Sequence, residues 1–374
     1  MNILLACMAL DIGGAETHVV SLAKELKRIG HKPIIVSAGG VYVEELKKVD
    51  ITHYYAPLNR KDITSITKSI KVLREINHRE KIDIIHAHGR IPALNCKIVS
   101  MLDGIPFMTT AHAKFKVSLL YKYTSFWGSE VISISEDIKE HLINKFNVKS
   151  DIITIIPNGI DTTRFVPNLD GENLKRELNL RDDTMKIVYI SRISGPLSKL
   201  VKLVAETGRD LYGDMDNIEF IIAGDGDDLK KISEYVDKIN GKCNRNFIHV
   251  IGKRTDIPRV LSMADITICV ARTALEAMAC EKPVILAGGE GYMGLLTEEN
   301  MEAAISNNFT GRTFSEDITV EKLKKEILSI LNTDSREKRL NLGQLGRNVV
   351  MDKFSIKTMT EKTVEIYNKL LKGV

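Results

Sequence analysis

Between Ala271 and Leu295 the chain reads ARTALEAMACEKPVILAGGEGYMGL, a stretch whose residue types could bind an anion. A short Ala-rich helix carries Glu276, Pro283 opens an apolar strand from Val284 to Ala287, and a loop follows with glycines at 288, 289, 291 and 294. Glycines permit unusual backbone angles and leave N–H groups bare toward a phosphate. Two plainer readings stand beside this one. Arg272 and Glu276 lie four apart and can pair along a solvated helix face, and glycines after a strand can simply turn the chain. Gly289, Gly291 and Gly294 also satisfy GxGxxG, yet no strand ending in an acid follows at the distance a dinucleotide ribose requires.

Other candidates are scattered along the chain. Gly13 and Gly14, with Ala15 and Glu16, form a glycine turn after the first strand, where helix N–H groups can meet an anion. Arg192 follows a strand, and Lys199 begins the next helix. Together they can clamp a diphosphate, the Arg in a bidentate manner and the Lys as a point charge. His86, His88 and His112 gather at strand ends, a conceivable metal set, but no acid or cysteine with ligand spacing accompanies them. No metal is expected. Asp225 and Asp227 form a DxD, for which helix capping is an equal explanation.

These residues need elements to position them. A chain of 374 residues with 44% hydrophobic and 27% charged residues is sized for two soluble domains. Its five cysteines, at 7, 96, 243, 269 and 280, include no CxxC pair, which points to reduced thiols and a cytoplasmic setting. The apolar run Ile3 to Leu10 lacks a basic leader and is too short to span a bilayer, so it reads as a strand. The net charge is +4, with the excess in residues 1–160. So small an excess excludes a nucleic-acid footprint.

Short apolar runs alternate with helical periods throughout, which predicts parallel βα units. NILLAC, PIIVS, THYY, IDIIHAH, PFMTT, EVISIS and DIITII are the strands expected in the first half, and KIVYIS, IEFIIAG, FIHVIG, ITICV and PVILAG in the second. PNGIDTTRFVPN lies between the two sets without periodicity and reads as a hinge. The expected domains are 1–160, joined by a final helix from about 355 to 374, and 161–354. The fold class is α/β, with two doubly wound parallel sheets facing a ligand cleft.

Taken together, GGAETHVVSLAKELKRIGH at 13–31, DIIHAHG at 83–89, TAH at 110–112, ISEDIKEHL at 134–142, PNGID at 157–161, SR at 191–192, IIAGDG at 221–226 and LEAMACEKPVI at 275–285 resemble the retaining GT-B glycosyltransferases of family 4, group 1. The resemblance covers nearly the whole chain. It implies two Rossmann-like domains, a last helix crossing back to the first of them, and metal-free transfer of a sugar from a nucleotide diphosphate sugar. It implies that His112 sits beside the transferred sugar and that Gly13 and Gly14 approach the phosphates or the acceptor. Arg192 and Lys199 would neutralise the leaving diphosphate, and Glu276 would bind the donor ribose. Gly252 and Lys253 would border the base, and Gly291, Tyr292, Met293, Gly294 and Leu295 would supply backbone N–H donors. No cofactor is implied beyond the donor, a UDP-, GDP- or ADP-sugar, and the acceptor would be a glycan or a lipid-linked acceptor.

The chain departs from the family pattern at two places. Ile268 stands eight positions before Glu276, where the family carries a second glutamate, and Leu200 follows Lys199 where it tends to carry glycine, so Lys202 is a second candidate for the phosphate. Two rival functions fit the same fold, a nucleotide-sugar epimerase and a non-catalytic nucleotide-sugar-binding protein. Finally, Lys114, Lys116 and Lys122 alternate with Phe115, Leu119, Leu120, Tyr121, Tyr123, Phe126 and Trp127. That pattern suits either peripheral contact with an anionic inner-membrane face or a core helix with solvated lysines.

Overall fold

The computed structural model describes residues 1–11, 13–118, 121, 124–312, 317–331 and 335–373. Expectations for Ile12 and for Leu119, Leu120, Lys122 and Tyr123 lie outside the described residues. The chain divides into two compact units, Met1–Gly159 with Lys353–Val374, and Ile160–Asp352.

In the first unit every apolar run forms a strand of one parallel sheet: β1 Asn2–Cys7, β2 Lys32–Ser37, β3 Thr52–Tyr55, β4 Ile84–His88, β5 Phe107–Ala111, β6 Glu130–Ser133 and β7 Ile153–Ile155. Their order across the sheet is 3-2-1-4-5-6-7, so the chain reverses direction at the junction of β1 and β4. Leu4 of β1 lies between Ile34 of β2 and Ile85 of β4, and all three are fully buried. Helices cover the faces: α1 Gly14–Arg28, α2 Val43–Lys48, α3 Ile63–Glu80, α4 Arg90–Asp103 and α5 Glu136–Phe146. α1 presents Val19, Leu22, Ala23 and Leu26 inward, the stripe expected of an amphipathic helix. The Asp62 carboxylate starts α3 by accepting from the Ser65 N–H at 2.8 Å.

The second unit repeats the design with β8 Met185–Ile190, β9 Ile218–Ala223, β10 Ile248–Gly252, β11 Ile266–Cys269, β12 Val284–Gly288 and β13 Gly291–Leu295, in the order 10-9-8-11-12-13. Its helices are α6 Glu172–Glu177, α7 Pro196–Tyr212, α8 Leu229–Lys242, α9 Ile257–Ser262, α10 Ala271–Ala279, α11 Glu298–Ser306, α12 Val320–Leu331 and α13 Arg336–Lys353. The first five strands are parallel, and β13 runs antiparallel to β12. This corrects the loop expected after Ala287. Gly288 pairs with Gly291 across the two-residue turn Gly289–Glu290, and Tyr292 and Leu295 fall into the core. The GxGxxG reading fails for the same reason, because a dinucleotide turn leads into a helix and this one leads into a strand.

The last helix, α14 Ile356–Lys372, belongs to the first unit. The Ser355 hydroxyl caps it by accepting from the Thr358 N–H at 3.0 Å. Its apolar stripe, Met359, Ile366 and Tyr367, completes the core formed by Ile3, Leu5, Val19 and Leu22. Lys369 also pairs with Glu130 at the start of β6. The Tyr367 hydroxyl shares a 2.8 Å hydrogen bond with Nδ1 of fully buried His86. Tyr367→Phe should therefore cost about 1–3 kcal/mol, the penalty of stranding a buried polar atom. Urea unfolding followed by circular dichroism would read this as a lower midpoint at unchanged slope.

Candidate active site

In the first unit a cluster of imidazoles sits at the carboxyl ends of β4 and β5. His86 and His88, two apart on β4, lie on one face of the sheet and are buried. His86 bonds Tyr367 through one ring nitrogen and Thr110 through the other, at 2.7 Å. His88 Nδ1 lies 2.9 Å from His112 Nε2, so one of these nitrogens donates to the other. The third member of the tight group is His18 of α1, not His86. Ring nitrogens of His18, His88 and His112 all fall within 4.8 Å of one another. That spacing would admit a divalent ion, although the His88–His112 hydrogen bond already occupies two of the ring nitrogens. His18 and Tyr367 were not legible as site neighbours. The only local signal was that each stands in an apolar helical stripe, where a polar side chain needs a buried partner.

Burial keeps His86, His88 and His112 neutral. It holds His86 at about 3, with repulsion from His18 adding to the effect. His88 and His112 are likewise held well below the usual histidine range, first by burial and then by neighbouring imidazoles, while the Asn158 side chain partly offsets this at His112. A neutral His112 can accept or donate one hydrogen bond to a sugar hydroxyl. It is a poor proton store at neutral pH.

Gly13 and Gly14 lie at the start of α1, as the glycine-turn reading requires. Gly13 has extended backbone, and Gly14 has open space where a side chain would stand. Glu16 in the first turn folds back on Gly13: a Cβ there would meet Glu16 Oε2 at 2.2 Å. This carboxylate already complements the helix N-terminus and would have to move before an anion could use it.

In the second unit Lys199 and the glycine hairpin turn share one cavity of about 350 Å³, lined also by Pro196, Leu200, Asp317 and Ile318. Gly289 is held against α7, where a Cβ would meet Leu197 Cδ2 at 2.6 Å, so the turn and the helix start form one concave wall. Lys202 is directed elsewhere, stacking over Tyr235 with its ammonium 5.2 Å from the ring centre. Arg192, exposed at the end of β8, is set by a backbone clasp. The Ile193 N–H donates to Asp225 O at 2.9 Å, and the Asp228 N–H donates to Ile193 O at 3.1 Å. Gly224 and Gly226 allow this close approach, since a Cβ on Gly226, at φ +154°, would meet Ile193 O at 2.3 Å. Neither Arg192 nor Lys199 has a carboxylate partner among the described residues.

The DxD reading is replaced by that clasp. Asp228, which begins α8, does not cap its own helix; its carboxylate accepts from the Gly195 N–H and the Ser198 hydroxyl at 3.1 and 2.9 Å. Gly252 ends β10 at φ +65° with its carbonyl bound to the Gly224 N–H, and Lys253 stands exposed beside it. Tyr292 and Leu295 are core side chains, so the backbone of Gly291–Leu295 and the half-buried Met293 side chain are left to meet a ligand. Half the N–H groups of such an edge strand go to the β12 ladder and half point away from it.

Glu276 pairs with Arg272 at 2.9 Å, the helix-face alternative. The carboxyl is raised by burial, with Arg272 and then Arg164 working against that rise. A ribose would meet a carboxylate that is already oriented and one-sidedly bonded. The absent second glutamate has a structural explanation. Ile268 is fully buried inside β11, and only Val270 separates that strand from α10. Ala271 makes the turn at φ +52°, a left-handed conformation costly for a residue with a Cβ. The loop that would carry an acid is missing. A cavity of about 720 Å³ lies at the opposite, amino ends of β8 and β11, beside Met185 and Asp265. Doubly wound sheets bind ligands at their carboxyl ends, and the smaller site at Lys199 is on that side.

Two doubly wound sheets, each with its anion-suited or hydrogen-bonding groups at the carboxyl ends of the strands, define the GT-B class. Residues 12–164 match the model of Glycosyltransferase Family 4, and residues 170–349 that of Glycosyl transferases group 1. The chain belongs to this glycosyltransferase family and is an enzyme of that kind. It is 22% identical to the GPI3 subunit of the Saccharomyces cerevisiae phosphatidylinositol N-acetylglucosaminyltransferase, over 96% of this chain and 80% of that one. It is 25% identical to an Escherichia coli UDP-Gal:alpha-D-GlcNAc-diphosphoundecaprenol alpha-1,3-galactosyltransferase, over 78% and 77% of the two chains. Among solved structures, a glycosyltransferase from Rickettsia africae superposes with a TM-score of 0.82 at 27% identity, covering 100% of this chain and 99% of that one. Anabaena HepE in complex with UDP superposes at 0.77 and 16%, covering 99% and 100%. A UDP-GlcNAc 2-epimerase from Neisseria meningitidis shares the fold at 0.61 and 13%, covering 98% and 100%, a more distant likeness.

The histidine cluster makes stability depend on pH in a defined direction. Unfolded histidines protonate near about 6.5, the folded ones far lower, so the unfolded state binds more protons as pH falls. Stability should decline from about pH 6.5 toward about 3, by up to about 1.4 kcal/mol per pH unit for each such histidine. Thermal unfolding across that range, with NMR of the ring protons, checks both parts. A ring proton of His86 that titrates near pH 6.5 in the folded protein would contradict the assignment.

Proposed function

We propose that this glycosyltransferase moves a sugar from a nucleoside diphosphate sugar to a lipid-linked acceptor, with retention and without a metal ion. The observation that carries the reading is the cavity where Lys199 faces the Gly288–Gly291 turn, together with the unpaired Arg192 on its clasped loop. When the bond from the sugar to the diphosphate breaks, negative charge grows on the leaving phosphate oxygen. Preorganised cations and N–H dipoles stabilise that charge at little reorganisation cost, the work a metal does elsewhere. Retention follows if the acceptor hydroxyl attacks the face that the diphosphate leaves, passing its proton to a departing phosphate oxygen. We assign Glu276 to the donor ribose, Gly252 and Lys253 to the base, and His112 to the transferred sugar.

Uridine is the favoured base, since HepE is solved with UDP and the E. coli relative is named for UDP-Gal. A lipid-linked acceptor is favoured because the yeast and E. coli relatives are named for phosphatidylinositol and diphosphoundecaprenol. No described helix is long and apolar enough to cross a membrane, so such an acceptor would be met by peripheral contact, which we place at the inner face.

A panel of UDP, GDP, ADP and their sugars tests the donor site by thermal shift, since a ligand at a hundred times its Kd stabilises by about 2.7 kcal/mol. Arg192→Ala and Lys199→Ala should each weaken UDP binding by about ten-fold or more, the loss of one charge-assisted hydrogen bond, whereas Lys202→Ala should not. Sugar transfer should survive EDTA. Absence of any nucleotide shift, a metal requirement, or an epimerised sugar from UDP-GlcNAc alone would each overturn the matching part.

A further inference from the structure

The first unit holds a second cavity, of about 530 Å³, at the carboxyl ends of its strands. Met8 after β1, Ile66 on α3, Ile91 and Leu94 on α4 and Phe115 after β5 form an apolar wall, and every one of them is left partly exposed. Two cations, Lys61 and Arg90, stand on this wall and no Asp or Glu lines it among the described residues. Neither cation has a carboxylate partner there. Arg90 is fixed in place, its guanidinium carbon 3.9 Å from the Tyr121 ring centre and 5.2 Å from that of Phe115. Lys61 donates to the Tyr121 hydroxyl at 3.4 Å.

Two unneutralised cations beside an apolar wall make an unusual surface. Water solvates the cations well and the wall badly, whereas one kind of molecule satisfies both: an apolar chain ending in phosphate. A cavity of this volume is of ordinary size for a small ligand and suits the first part of one chain rather than a whole lipid. The positive field at its polar end is also felt by the Tyr121 phenol, drawn below the usual tyrosine range by the bonded Lys61 first, then by Arg90 and Lys116.

We propose that this cavity binds the phosphate-proximal segment of a single-chain acceptor linked through a prenyl phosphate, with the phosphate between Lys61 and Arg90 and the chain along Ile91, Leu94 and Phe115. The proposal deepens the glycosyltransferase reading by naming the acceptor class and its site, and it rests on that reading for the word acceptor. The alternating basic and aromatic residues after His112 then have a local purpose: Phe115 and Tyr121 hold the arginine and wall the chain. The core-helix alternative does not hold for residues 113–118, which form no helix, although Tyr121 and Thr124 are helical.

The only tryptophan, Trp127, packs on Phe115 with ring centres 5.8 Å apart and on Phe146 at 5.9 Å, so its emission responds to changes at this wall. Titrating the full chain with farnesyl phosphate below its aggregation threshold should give a saturable change in Trp127 emission. Inorganic phosphate should give none, and farnesol should bind at least about ten-fold more weakly, the loss expected when charge-assisted hydrogen bonds are missing. Lys61→Ala and Arg90→Ala should weaken farnesyl phosphate by a similar factor, and Arg90→Lys should recover part of it. UDP binding, measured in the same samples, should be unchanged in all three variants and shows that they remain folded. Equal binding of farnesol and farnesyl phosphate, no binding by the wild type, or full affinity in Arg90→Ala would overturn the proposal. If farnesyl phosphate binds but no nucleotide does, the lipid site stands and the donor reading fails.

Discussion

A parallel strand buried on both faces leaves its backbone and side chains no outlet except at its ends, and that constraint shapes both units. Leu4, Ile34 and Ile85 pack on one another without solvent contact, so the loops after their strands emerge together on one edge of the sheet. Where the strand order reverses, between β1 and β4, neighbouring loops lead to opposite faces and cannot close over each other. Polar residues collect there beside the apolar wall of Met8, Ile91, Leu94 and Phe115. His88, His112, Gly13 and Arg90 all reach this edge of the first unit, as Arg192, Lys199 and the glycine hairpin turn reach that edge of the second.

The two units solve the positioning problem by different means. In the first, side chains hold side chains: Tyr367 and Thr110 bind His86 with all three buried, and buried His88 binds half-buried His112. Desolvation keeps the rings neutral, so the cluster stores orientation instead of charge. In the second unit the backbone does the holding. The loop bearing Arg192 is clasped by the Asp225–Asp228 turn through main-chain bonds, which a side chain at Gly224 or Gly226 would break. A cation on a main-chain clasp can stay exposed and solvated while its root is fixed, which suits a group that must meet a highly charged ligand.

The shortened connection between β11 and α10 shows the cost of such economy. Ala271 adopts a left-handed backbone to make the turn, and the position eight before Glu276 falls inside the sheet as Ile268. With that loop absent, Glu276 is oriented by Arg272 rather than by a second acid.

Periodicity alone determined most of the architecture. Runs such as NILLAC, IDIIHAH and IEFIIAG are too apolar to be anything but buried strands, and Met359, Val364, Ile366, Leu370 and Leu371 form a helical stripe that required a surface to cover it. The family likeness was legible because its motifs mark turns and helix starts, whose residue types backbone geometry dictates locally. What the sequence could not determine depends on contacts between distant residues. β13 was hidden because glycine carries no periodic signal, and only the ladder to β12 and the burial of Tyr292 and Leu295 make it a strand. The choice of Lys199 over Lys202 for the glycine cavity depends on Tyr235, thirty-odd positions away on another helix. His18 joins His88 and His112 only because α1 packs across the ends of β4 and β5. An imidazole's neighbours, and hence its charge, are properties of the packed edge and not of the strand that carries it.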